Sequence, residues 1–71
     1  MKFINVCRLL PLGTTIELTE IAQNMESKEY IGSHTVKEIV YQSFWNKFKD
    51  YSVLSVNPVS EYRVTMKVVK E

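Results

Sequence analysis

Residues 61–69 read EYRVTMKVV, and their side chains alternate with a period of two: Tyr62, Val64, Met66 and Val68 fall on one face, Arg63, Thr65 and Lys67 on the other. The pattern predicts a strand with one apolar and one wet face. Upstream, YSVLSV (51–56) is a second β-forming run, and the turn-prone Asn57-Pro58-Val59-Ser60 lies between the two, so the chain is expected to close with a hairpin. A similar arrangement is expected earlier. In TTIELTEI (14–21), Ile16 and Leu18 point one way and Thr15, Glu17 and Thr19 the other. AQNMESKE (22–29) loses the alternation and suits a loop, and YIGSHTV (30–36) is the return strand, where Gly32 marks a bulge or a close backbone approach.

Helical spacing takes over in two places. Phe3, Val6, Cys7 and Leu10 in KFINVCRLL (2–10) form one stripe of a short helix, ended by Pro11 and Gly13; a strand is the alternative, since Phe3, Ile4 and Val6 also favour β structure. In EIVYQSFWNKFKD (38–50), Val40, Phe44 and Phe48 make one row and Tyr41 and Trp45 its neighbour, predicting a single helix whose aromatic rings supply most of the core. The expected fold is α+β: a small antiparallel four-stranded sheet of two hairpins, packed on one side by two helices, in the order helix, strand, strand, helix, strand, strand.

A chain of 71 residues, 45% hydrophobic and 24% charged, has the composition of one globular domain. No apolar run approaches the roughly 18 residues that cross a bilayer, and the N-terminus has no secretory pattern. With a single cysteine and no Asn-X-Ser/Thr acceptor, the expected location is the cytoplasm. Nine Lys/Arg against eight Asp/Glu, mixed along the chain, imply no strongly charged partner.

Chemistry is scarce. One Cys and one His cannot supply the four ligands of a structural zinc, so no metal is expected. Cys7 lies on an apolar stripe and reads as a core thiol, while His34 sits between Ser33 and Thr35 as a surface or satisfied histidine. Glu17 and Glu20 could in principle be recruited as paired carboxylates, but charge on a solvated strand face explains both without chemistry. Gly13 and Gly32 belong to no phosphate-cradling loop, so no enzyme and no cofactor are expected. Arg63, Lys67 and Lys70, with Lys47 and Lys49, fall short of the roughly six to ten phosphate contacts of strong nucleic-acid binding.

What remains is recognition of another protein. The terminal strand is the most regular, and if it forms a sheet edge its backbone offers pairing to a partner or a second copy. Tyr62, Arg63, Thr65 and Lys67 are therefore the candidate protein-binding residues, because Tyr and Arg are favoured at interfaces and Lys67 can steer a partner by charge.

Leu10-Pro11, Gly13-Thr14, Ile16, Gly32, Val36 and the run Tyr51 to Val56, with the order of elements, resemble small uncharacterised proteins encoded by phages and prophages of Gram-positive bacteria. The resemblance implies a mobile-element accessory protein that binds and blocks a host protein, in the manner of anti-CRISPR and other anti-defence proteins. The alternatives are an oligomer that holds a nucleotide-like ligand between subunits and a weak nucleic-acid binder.

Overall fold

The alternation at the two strands read most clearly in the sequence becomes the centre of the sheet. The computed structural model describes residues 1–71. Its elements are α1 (Phe3–Leu9), β1 (Thr15–Ile21), β2 (Lys28–Thr35), α2 (Val36–Ile39), α3 (Trp45–Phe48), β3 (Ser52–Ser60) and β4 (Arg63–Val69). The four strands form one sheet in the order β2-β1-β4-β3. Each hairpin is antiparallel, as expected, but the hairpins are joined by parallel pairing of β1 with β4, so the sheet is mixed. An alternating strand reads the same in either direction, which is why the pattern left the sense of this central pairing open.

The β1–β4 register sets Ile16 beside Val64 and Leu18 beside Met66. These residues and Val68 are at most 8% exposed and meet Phe3, Cys7, Ile39, Phe48 and Tyr51 in a single core. All three helices lie on this side. On the far face Thr15, Glu17 and Thr19 stand beside Arg63, Thr65 and Lys67, covered by no helix.

The predicted helix over 38–50 is two short ones separated by a turn at 40–44. Ile39 and Phe44 lie five residues apart, about 140° around a continuous helix, so one uninterrupted helix could not aim both at the core. Breaking it buries Ile39 completely and packs Phe44 against that core, leaving Tyr41 84% exposed. Thr35 starts α2: its Oγ1 accepts from the Glu38 backbone N–H at 3.3 Å and donates to Glu38 Oε1 at 2.8 Å. The turn predicted at Asn57 to Ser60 is likewise displaced. β3 runs through to Ser60, and Glu61 and Tyr62 connect it to β4, with Ser60 opposite Arg63. Pro58 is tolerated inside β3 because this is an edge strand and a register shift falls between Pro58 and Ser60.

Candidate functional site

β4 lies between β1 and β3. Its backbone is therefore paired on both sides, and the expectation that it offers an open sheet edge is corrected: the alternating row of Val64, Met66 and Val68 secures most burial at the sheet centre. The side chains proposed from sequence are only partly brought together. Arg63, Thr65 and Lys67 share the helix-free face, whereas Tyr62 stands in the β3–β4 connection, 64% exposed. Arg63 Nη1 lies 3.3 Å from Glu17 Oε1 and donates to Ser33 Oγ at 3.5 Å, and Thr65 Oγ1 donates to the Asn57 carbonyl at 3.3 Å. Arg63 and Thr65 on this face are thus already engaged within the chain.

The opposite layer carries a surface of different character, a groove between α1 and α2. Its frame is set by backbone hydrogen bonds. Phe3 N–H donates to the Tyr51 carbonyl at 2.8 Å and Ile4 N–H to that of Lys49 at 2.9 Å, which satisfies the start of α1 without a side-chain cap. At the other end Val36 N–H donates to Thr14 O at 2.9 Å and Lys37 N–H to Leu12 O at 3.1 Å, locking the turn after α1 onto the start of α2.

Between these anchors lies an open groove of about 530 Å³. Buried Cys7 and Val36 form its floor, and half-buried Ile4 and Trp45 its walls. Trp45 is held by Phe3, with ring centroids 5.7 Å apart. Leu12, Val40 and Tyr41 rim it with exposures of 64%, 40% and 84%. Arg8 and Lys37 are exposed at the same rim, and neither belongs to the ion pairs Lys2–Asp50, Lys47–Glu20 or Arg63–Glu17. No carboxylate lines the groove.

Burial pushes the Cys7 thiol from its ordinary 9.0 up to about 12, so at neutral pH the floor presents a neutral thiol and not a nucleophilic thiolate. Nowhere do three or more His, Cys, Asp or Glu side chains gather as a metal site. The groove can hold an apolar body and attract a negative charge beside it.

Sequence reasoning missed this site because it placed Val40 and Tyr41 in the core. One signal was present: Thr35-Val36-Lys37-Glu38 has the Ser/Thr-x-x-Glu spacing of a helix start, which puts α2 two residues earlier than expected and turns Tyr41 outward. Leu12, set between Pro11 and Gly13, gave no periodic signal.

Fold and groove together define a small mixed-sheet α+β domain bearing an amphipathic, cation-rimmed trough. No family model, no curated protein and no solved structure matches the chain, so functional inference rests on this surface. No helix is long and apolar enough to cross a membrane.

Proposed function

We propose that this is a non-enzymatic binding protein that acts by docking another protein in the α1–α2 groove. The observation that carries the proposal is the set of Leu12, Val40 and Tyr41, large apolar side chains left exposed around a concave apolar floor. A domain this small has little apolar surface to spare from its core, and exposed apolar concavities are where binding energy concentrates. On the resemblance to phage and prophage miniatures, the partner is a host protein in the cytoplasm, held and blocked by occupancy alone. The helix-free sheet face, with Arg63 paired to Glu17, supports this role less well.

An affinity capture from bacterial lysate with matched variants tests the location. Leu12→Ser and Tyr41→Ser, each confirmed folded by thermal melting, are expected to lose the captured partner, while Arg63→Glu and Lys67→Glu retain it. The reverse result would move the binding surface to the sheet face.

A second reading has its own support: about 530 Å³ falls within the roughly 300–1,000 Å³ typical of small-ligand pockets. Native mass spectrometry of protein purified from cells separates the two, because a ligand-holding role requires a small molecule bound to the purified chain.

A further inference from the structure

Resting on the groove as the docking site, we infer the chemistry of its occupant: a short acidic segment of a partner protein. Its apolar side chains would seat between Ile4, Val40 and Trp45, and its carboxylates would meet Arg8 and Lys37.

The chain has nine Lys/Arg and eight Asp/Glu and is nearly neutral, yet the groove lining carries two cations and no anion. Arg8 comes from α1 and Lys37 from α2, so the cations stand on two different elements that bound the same apolar floor. Glu38, next to Lys37, is turned away into its hydrogen bonds with Thr35. Neither cation therefore has a counterion within the chain, and a carboxylate arriving with an apolar anchor would complement both at once.

Shape narrows the occupant further. α1 has seven residues and is about 10 Å long, room for two helical turns or three extended residues of a guest. The groove is an open trough with Leu12 and Tyr41 standing largely in solvent. A small amphiphile lying in it would leave those side chains wet, whereas a protein segment brings the bulk to cover them. Two cations among mainly apolar neighbours are too few to follow a nucleic-acid backbone, which takes roughly six to ten phosphate contacts.

Selection of a displayed library of random twelve-residue peptides on the immobilised full chain tests this. The expected winners carry Asp or Glu flanking an apolar anchor, shift the amide resonances of Ile4, Val36 and Tyr41 by NMR, and bind more weakly as salt is raised. Reversing both cations together, Arg8→Glu with Lys37→Glu, is expected to weaken them at least about tenfold with little change in melting temperature. Arg8→Gln with Lys37→Gln provides a second, milder pair should the reversed one fold poorly.

Peptides that bind the groove without acidic enrichment, and equally well to both double variants, would overturn this inference while leaving the groove as a docking site. Winners that map elsewhere, or no winners at all, would overturn the docking reading with it. Concentration-dependent self-association abolished by Arg8→Glu with Lys37→Glu would assign the groove to a second copy and likewise overturn the partner proposed here.

Discussion

Gly32 sits at φ +156° in β2, and a Cβ built there would stand 3.0 Å from His34 Cε1. Both the backbone angle and the close approach disfavour a side chain, because the imidazole that would have to give way is itself packed edge-on to Phe44 at 5.4 Å between ring centroids. Gly32→Ala is expected to cost about 1–3 kcal/mol in urea unfolding, and an unchanged midpoint would show that the strand relaxes around the methyl. Cys7 and Tyr51 carry a second expectation. Burial raises the Cys7 thiol to about 12, and burial, reinforced by the charge of Glu20, raises the Tyr51 phenol above 10.0. Both groups are neutral in the fold and ionise more easily once unfolded. Their contribution is therefore complete below pH 9, where the unfolded thiol begins to titrate, and is lost as pH rises from 9.0 toward about 12. Urea midpoints should fall on that alkaline side, and Cys7→Ala should flatten the fall. At this scale the sequence reads well where one residue type dominates, as for the core thiol Cys7, and poorly for Tyr41, whose amphipathic ring suits either a core or a rim.

At the scale of elements, the start of α2 decides which side chains form the groove. Thr35 satisfies the Glu38 backbone N–H and its hydroxyl is held by the Glu38 carboxylate, so one residue fixes the phase of Val36 and Ile39 toward the core and of Lys37 and Val40 toward the rim. Thr35→Ala is expected to cost about 1 kcal/mol. Thr35→Ser should restore most of it, and equal losses for both would assign the effect to the threonine methyl and not to the cap. The same reasoning explains why one helix was expected over 38–50. The aromatic spacing within that segment is helical, but Ile39 lies out of phase with Phe44, and a helix of 13 residues has too little intrinsic stability to resist being broken when burial of both is at stake. β3 was underestimated for a related reason. Pro58 is a turn residue by local preference, yet on an edge strand its missing N–H leaves no buried partner unmet.

For the molecule as a whole, the β1–β4 pairing joins the first hairpin to the last, from Thr15 opposite Arg63 to Ile21 opposite Val69. Met66 is fully buried at this seam beside Leu18. Met66→Ala is expected to lower stability by about 2–5 kcal/mol, with Trp45 fluorescence and far-ultraviolet circular dichroism moving to the same new midpoint. Separate midpoints would mean that the hairpins unfold independently. The sequence by itself determined the α+β class, the strand faces and most of the core, and left residues 2–10 open between helix and strand, because alternation and helical periodicity are properties of neighbouring residues that burial on one face imposes directly. Only the tertiary structure decided that β4 lies inside the sheet, that β1 runs parallel to it, that the second helix breaks, and that Arg8, Leu12, Lys37 and Tyr41 gather round one trough. Those outcomes depend on which residues far apart in the chain compete for the same buried area, a competition that no local pattern records.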